Sequence, residues 1–150
     1  MDNLIKERTA SFSGHRNIPP DDAAAVAENL KKAVSELTMR GITRFCAGGA
    51  QGFDMLASLV VLENPALSLT LILPFKEQTN RWGGKEIGFY EHILDRADQV
   101  IYTAEHYSRG CYHLRNRRLV DESCVLLCYY TGCTGGTSYT VSYAKKKKLK

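Results

Sequence analysis

The chain lacks any long hydrophobic run. None of its 150 residues falls in a stretch of about 18 consecutive apolar residues, the length that a membrane-spanning helix requires. Residues 1–8 mix charged and apolar side chains, so they lack the uninterrupted apolar segment of a secretory signal. The sequence therefore predicts a soluble, cytoplasmic protein with no membrane partner.

The motifs that mark metals and common cofactors are also missing. The five cysteines include no CxxC pair of the zinc type, so we predict free thiols and no metal site. No glycine-rich turn has the GxGxxG spacing of dinucleotide-binding proteins or the Gly-Lys-Ser/Thr ending of a P-loop. NAD redox chemistry and P-loop ATP hydrolysis are therefore disfavoured, and no cofactor is predicted.

The chain lacks a net positive charge outside its C-terminal end. The formal net charge is +4, but residues 145–150 hold five lysines, and the remainder carries −1. A lysine-rich end is typical of a solvated helix terminus, where cations also suit the helix dipole. Nucleic acid is therefore an unlikely partner.

Strand and helix patterns alternate along the whole chain. Short β-compatible or apolar runs are separated by segments with helical spacing, which indicates a mostly parallel sheet. The predicted strands are residues 9–13, 43–47, 68–73, 99–102 and 123–130, and the predicted helices are 26–37, 53–63, 85–96, 109–122 and 137–148. We predict one domain over residues 1–150 with a Rossmann-like α/β fold, in which helices cover both faces of the sheet in three α/β/α layers.

Three turns after predicted strands suit an anionic ligand. They are Ser13-Gly14-His15-Arg16, Gly48-Gly49-Ala50-Gln51-Gly52 and Thr134-Gly135-Gly136-Thr137. Glycine lets the backbone approach an anion, and the next helix offers free N–H groups and its positive dipole end. Ligands of parallel α/β sheets bind at the carboxyl ends of strands, so these turns predict a phosphate site. Each alone is also compatible with an ordinary turn.

Several side chains near these turns have two interpretations each. Arg115 and Arg118 share a helix face and Arg117 points elsewhere; the cluster either pairs with acidic neighbours or contacts an anion. Asp54 either caps a helix or holds a ribose hydroxyl or a water beside a phosphate. The aromatic side chains of Trp82 and Tyr107 either stack on a base or pack over the sheet edge.

Four spaced motifs together carry a family resemblance. Residues 9–16, 48–54, 115–117 and 135–137, the last followed by Tyr143-Ala144-Lys145, resemble the YpsA-like branch of the SLOG superfamily over nearly the whole chain. The resemblance implies a Rossmann-like fold for nucleotide-derived ligands, with relatives among LOG-type phosphoribohydrolases and the DNA-processing protein DprA. By motif position it implies ligand contacts at Gly14, Arg16, Gly48, Gly49, Gly52, Asp54, Arg117, Gly135, Gly136 and Thr137.

One departure from the LOG-type enzymes bears on mechanism. Their glycine turn is followed by a glutamate used in N-glycosidic cleavage, whereas Thr137 is followed here by Ser138-Tyr139-Thr140. Cleavage through an oxocarbenium-like state needs a carboxylate, which leaves Asp54 as the catalytic candidate. The leading hypothesis is therefore a module that binds or senses a nucleoside phosphate or ADP-ribose derivative. The alternatives are a nucleotide N-glycosidase and a single-stranded nucleic-acid binder of the DprA kind; a homo-oligomer is a further possibility.

Overall fold

Five parallel strands form the centre of the protein. The structure is a computed structural model that describes residues 3–79, 82–129 and 136–149. The strands are β1 Thr9–Gly14, β2 Arg44–Ala47, β3 Ser68–Leu73, β4 Gln99–Tyr102 and β5 Val125–Tyr129. The helices are α1 Asn3–Glu7, α2 Ala23–Met39, α3 Phe53–Leu62, α4 Gly84–Arg96, α5 Cys111–Asp121 and α6 Gly136–Lys146.

The sheet has the order β4-β3-β2-β1-β5, and every described pairing is parallel. The chain moves outward from β1 to β4 and then returns to the other side of β1 to form β5. The strand order therefore reverses between β1 and β5, and a ligand crevice is expected at such a switch point in an open α/β sheet.

Alternate residues of β1 show that the sheet is covered on both faces. The ring of Phe12 packs against Phe53 of α3, with 6.2 Å between ring centroids. Ser11 points the other way and donates a hydrogen bond of 2.7 Å to the carbonyl oxygen of Leu119 in α5. Successive strand residues face opposite sides, so α3 and α5 lie on different faces. The predicted Rossmann-like α/β fold with helices on both faces is confirmed.

The two faces differ in polarity. On the α3 side, fully buried Phe12, Phe45 and Leu71 form one apolar core with α3 and its neighbouring helices. On the α5 side, the buried apolar cluster is small and centres on Cys46 and Ile72. The remaining space on the α5 side is occupied largely by short polar side chains, so this face is where a polar site can form.

Two features differ from the sequence predictions. Helix α1, five residues long, is not predicted by the sequence, because it is too short to show a helical repeat. Strand β5 begins at Val125 rather than residue 123, and most of its residues are only half-buried. It lies at the edge of the sheet and pairs with β1 on one side, which explains why its apolar run is not enclosed.

Candidate functional site

A cavity of about 380 Å³ opens at the carboxyl end of β1, beside the switch point. This volume lies within the roughly 300–1,000 Å³ typical of small-molecule sites. Residues from four elements and their turns line it: Phe12, Ser13, Gly14, His15, Arg16, Ala50, Asp54, Tyr112, His113, Arg115, Asn116, Leu119 and Thr137. The turn after β1 and the helices α3, α5 and α6 thus meet around one space.

Asp54 lies in the first turn of α3 and is 6% exposed. Its Oδ2 atom accepts a hydrogen bond of 3.3 Å from the N–H of Ala50. Its Oδ1 atom is buried and has no hydrogen-bond partner among the described residues. Burial raises the pKa of this carboxyl from 3.8 to about 6, while Arg115 and the Ala50 N–H act in the opposite direction. A buried oxygen without a partner is uncommon in folded proteins, so Oδ1 is an acceptor with free capacity.

Arg115 lies beside Asp54 and is 5% exposed. Its guanidinium donates to the carbonyl oxygen of Gly48 and, over 2.7 Å, to Oδ1 of Asn116. Burial lowers the pKa of Arg115, and the negative charge of Asp54 counteracts that effect. The two side chains therefore support each other's charge inside the fold without a direct ion pair.

Gly48 makes room for this pair. A Cβ atom at Gly48 would lie 2.7 Å from Nη1 of Arg115 and 2.9 Å from Oδ2 of Asp54. A side chain at this position would therefore displace one or both charged groups. Glycine is therefore required at position 48, because only a residue without a side chain leaves room for the buried charges of Arg115 and Asp54.

Gly52 joins two of the predicted turns. Its φ of +76° is one that other residues rarely adopt, and a Cβ there would overlap the carbonyl oxygen of Arg16. The next residue, Phe53, donates its N–H to the carbonyl oxygen of His15 over 3.2 Å. The turn after β2 is thus fixed against the turn after β1, and Gly52 has a packing role.

A second guanidinium lies at the mouth of the cavity. Arg16 is exposed, and its Cζ atom lies 5.4 Å from the ring centroid of Tyr112, with the Cζ of Arg115 at 5.8 Å from the same ring. Distances under about 6 Å are typical of cation–π contacts. Tyr112 therefore contacts both cations.

The N-terminal end of α6 completes the lining. Thr137, the second residue of this helix, is 7% exposed and faces the cavity, where Ser13 of β1 also lies. The ring of His113 stacks on Tyr139 with centroids 4.0 Å apart and an interplanar angle of 6°. This stack fixes the start of α6 against α5 beside the cavity.

The structure brings together some of the predicted ligand residues. Ser13, Gly14, Arg16, Asp54 and Thr137 line one cavity. Gly48 lies beside the charged pair, whereas Gly49 and Gly52 are outside the lining and make close packing contacts. Gly136 begins α6, and Gly135 lies outside the described residues.

Arg117 does not line the cavity. It is exposed on α5, and the buried guanidinium there belongs to Arg115. A ligand contact by Arg117 stays a prediction from the resemblance alone. Sequence reasoning includes Arg115 only as a member of an arginine cluster with two interpretations, and it misses Asn116, Tyr112 and His113 as site residues. A signal is present for Arg115, since it lies one helical turn from both Cys111 and Leu119, which are buried.

The described residues contain neither a metal cluster nor a membrane span. Within these ranges, no group of three or more His, Cys, Asp or Glu side chains is placed to hold a metal ion. Cys46 and Cys111 are buried free thiols, and burial raises the pKa of Cys46 to about 11; Cys128 is exposed, and Cys133 lies outside the described residues. No helix among residues 3–79, 82–129 and 136–149 is both long and apolar enough to cross a membrane.

The chain has relatives in sequence and in structure. The SPbeta prophage-derived protein YoqJ of Bacillus subtilis (strain 168) is 29% identical over 145 residues, covering 86% of this chain and 81% of YoqJ. A UPF0398 protein of Bacillus thuringiensis (strain Al Hakam) is 30% identical over 129 residues, covering 81% of this chain and 70% of the relative. DNA processing protein A of Helicobacter pylori matches in structure with a TM-score of 0.69 and 18% identity, covering 97% of this chain and 65% of that one.

The structural match therefore concerns the fold, and this chain spans slightly less than two thirds of the solved relative. A family model gives the closer assignment, because it matches residues 19–150 and so includes every strand after β1 and the whole of α2 to α6. On this match, the chain belongs to the YspA SLOG family.

Proposed function

We propose that the cavity at the carboxyl end of β1 binds a nucleotide-like ligand that carries a phosphate, and that the protein is a binding module for it. The observation that carries the proposal is the combination of a buried Asp54 Oδ1, unpaired among the described residues, with the guanidinium groups of Arg16 and Arg115. A ligand that has both hydroxyl donors and an anionic group satisfies both halves of this site.

The phosphate is best accommodated at the cationic side. Arg16 is exposed and can form a two-pronged contact with phosphate oxygens, which arginine does better than lysine. The start of α6 lies across the cavity, where the buried Thr137 offers a hydroxyl and the helix end contributes a positive dipole. Such a helix end stabilises an anion by about 0.3–1 kcal/mol, or about 2 kcal/mol when partly buried.

The sugar is best accommodated at Asp54. A buried polar atom without a partner costs about 1–3 kcal/mol, so a ligand hydroxyl that donates to Oδ1 recovers free energy on binding. Arg115 keeps the carboxylate from losing its charge at neutral pH, since the pKa of about 6 lies below 7. A carboxylate at this position would repel a phosphate, which places the phosphate at the Arg16 side instead.

A thermal-shift panel of nucleoside phosphates, ADP-ribose and cyclic derivatives tests the proposal. A ligand at 100 times its Kd adds about 2.7 kcal/mol, or about 5–11 °C in Tm for a chain of this size. Arg115→Met should abolish the shift, whereas Arg117→Met, the matched control on the same helix, should leave it unchanged. No shift with any compound at millimolar concentration would refute the proposal, and a loss confined to Arg117→Met would move the site to the other face of α5.

One observation favours a second candidate, a nucleotide N-glycosidase. The pKa of Asp54, raised to about 6 by burial, suits a group that gives and takes protons near neutral pH. The glutamate of LOG-type enzymes is absent after Thr137, so Asp54 alone would have to serve the anomeric carbon. Incubation with nucleoside monophosphates tests this: base release that disappears in Asp54→Asn supports an enzyme, and no release leaves binding as the function.

Single-stranded DNA binding ranks below both. DNA processing protein A of Helicobacter pylori binds single-stranded DNA, which runs against the prediction that nucleic acid is an unlikely partner here. However, the chain without residues 145–150 carries a net charge of −1, and Lys145 to Lys148, at the end of α6 and just after it, are exposed. A steep fall of affinity with salt that survives deletion of residues 145–150 would favour this candidate.

A further inference from the structure

Three aromatic rings form a continuous wall from the cavity to the surface. We call Phe75, Tyr107 and Tyr112 the aromatic wall. The ring centroid of Phe75 lies 5.6 Å from that of Tyr107 and 5.9 Å from that of Tyr112, and the two tyrosines are 6.4 Å apart. Phe75 is 7% exposed and anchors the other two rings edge to face. The tyrosines are thus held in place before any ligand arrives.

The two tyrosines of the wall face different surroundings. Tyr112 lines the cavity and lies close to the guanidinium groups of Arg16 and Arg115. Tyr107 is 67% exposed, although a large aromatic side chain gains by burial. The wall therefore presents an exposed ring beside a charged cavity.

Trp82, the other aromatic residue that the sequence offers for base stacking, is placed differently. Its ring packs edge to face on Tyr90, with 5.2 Å between centroids, and contacts the main apolar core. Neither Trp82 nor Tyr107 lines the cavity itself, but the Tyr107 ring contacts that of Tyr112, which does. Of these two aromatic residues, Tyr107 is the one that adjoins the site.

We propose that Tyr107 is the stacking platform for a nucleobase, so that the site takes a base-bearing nucleotide rather than a sugar phosphate. The inference rests on the proposed function and names the ligand class. The Tyr112 ring lies near both Tyr107 and Arg16, and the two centroid distances put the Arg16 guanidinium within about 12 Å of the Tyr107 ring. A base on Tyr107 and a phosphate at Arg16 fit this span, and Asp54 lines the same cavity as Arg16 for the sugar.

The same base could belong to a free nucleotide or to a nucleotide within a single strand. Stacking on an aromatic ring does not distinguish them, because every base has a π face. The shared chemistry is therefore a nucleobase linked to a phosphate. Comparing AMP with a short single-stranded oligodeoxyadenylate, both titrated into the full chain, identifies which source binds more tightly.

Calorimetric titration of AMP and ribose 5-phosphate into the wild type and Tyr107→Ala tests the stacking role. Base stacking on an aromatic side chain corresponds to a change in Kd of about 5- to 150-fold. We expect AMP to bind more tightly than ribose 5-phosphate by a factor in this range. In Tyr107→Ala the advantage of AMP should disappear while the Kd of ribose 5-phosphate stays the same.

Two further variants control the experiment. Tyr107→Phe keeps the ring and should keep the preference for AMP, and Phe89→Ala removes a 43% exposed aromatic ring on α4 without effect. Equal affinity for AMP and ribose 5-phosphate in the wild type would overturn the inference and leave the proposed function intact. Equal weakening of both ligands by Tyr107→Ala would also overturn it. Absence of binding by any of these ligands would overturn the proposed function together with the inference.

Discussion

Replacing Asp54 by asparagine should stabilise the fold at neutral pH, although it removes a charge that the proposed site uses. Burial raises the pKa of the Asp54 carboxyl from 3.8 to about 6, even with Arg115 and the Ala50 N–H acting against the rise. One pKa unit corresponds to about 1.4 kcal/mol, so ionised Asp54 lowers the free energy of unfolding at pH 7 by about 3 kcal/mol. Asparagine has nearly the same shape and does not ionise.

The direction of this pH effect depends on which state, folded or unfolded, binds the Asp54 proton more tightly. The unfolded chain loses the Asp54 proton near pH 3.8 and the folded chain near pH 6, so the folded state binds the extra proton between these values. The contribution to stability is fully present below pH 3.8 and is lost as the pH rises through 6. The advantage of Asp54→Asn should therefore grow by about 2 kcal/mol between about pH 4.5 and 7.5.

Urea denaturation followed by circular dichroism, at several pH values for both proteins, measures this difference. Asp21→Asn, which changes an exposed carboxylate before α2, is the control and should stay within about 0.5 kcal/mol of the wild type. A variant that is less stable than the wild type at about pH 7.5 would refute the reasoning. It would show that attraction to Arg115 stabilises ionised Asp54 by more than burial destabilises it. The unpaired Oδ1 of Asp54 would then not lower the stability of the fold. A variant that is more stable but no longer binds ligand would instead show that Asp54 serves binding and lowers the stability of the fold.

Three further sites have definite expected outcomes on substitution. Gly52→Ala should lower the free energy of unfolding by more than about 1 kcal/mol in thermal denaturation, because φ is +76° and the new Cβ would overlap a backbone carbonyl; an unchanged Tm would contradict this. Glu122→Ala should cost about 3–5 kcal/mol, since it leaves Arg44 without its 3.2 Å partner in a largely buried pair. Its control, Glu36→Ala, breaks a pair that is two-thirds exposed and should cost at most about 1 kcal/mol in the same urea titration. Arg115→Lys should weaken AMP binding about tenfold or more in calorimetry, because lysine lacks the planar fork that makes two hydrogen bonds at once; equal affinity would show that charge alone suffices.

The strands of this fold are more predictable than their order. Strands β3 and β4 have the predicted bounds, because apolar runs such as Ser68–Leu73 are closed by turn residues such as Pro74. Their arrangement in the sheet depends on contacts between distant residues, such as the pairing of Ala10 with Val125, which no local pattern encodes. For that reason the sequence predicts a parallel α/β protein and the turns that could form a site, but not the order of the strands in the sheet.

The arginines of α5 show that local sequence patterns also do not identify every residue of the site. The sequence indicates that Arg115 and Arg117 point in different directions, but not which of them faces the sheet. The apolar residues Cys111 and Leu119 lie one turn on either side of Arg115, and this spacing turns its guanidinium toward Gly48. The resemblance instead favours Arg117. Polar residues on a buried helix face run against the hydrophobic pattern, so such a site is predicted less well than a core.

The position of β5 beside β1 has a consequence for how the protein folds. Strands β1 to β4 follow one another along the chain and in the sheet, so each can join its predecessor by closing a single connection that contains one helix. Strand β5 must return across most of the sequence to reach β1, and closure over so long a separation is entropically slow. We expect β5 to join last and to lose its amide protection first in hydrogen exchange. The cavity proposed to bind a ligand lies at this same junction, so a ligand bound there would stabilise the pairing of β5 with β1, which is the final folding step.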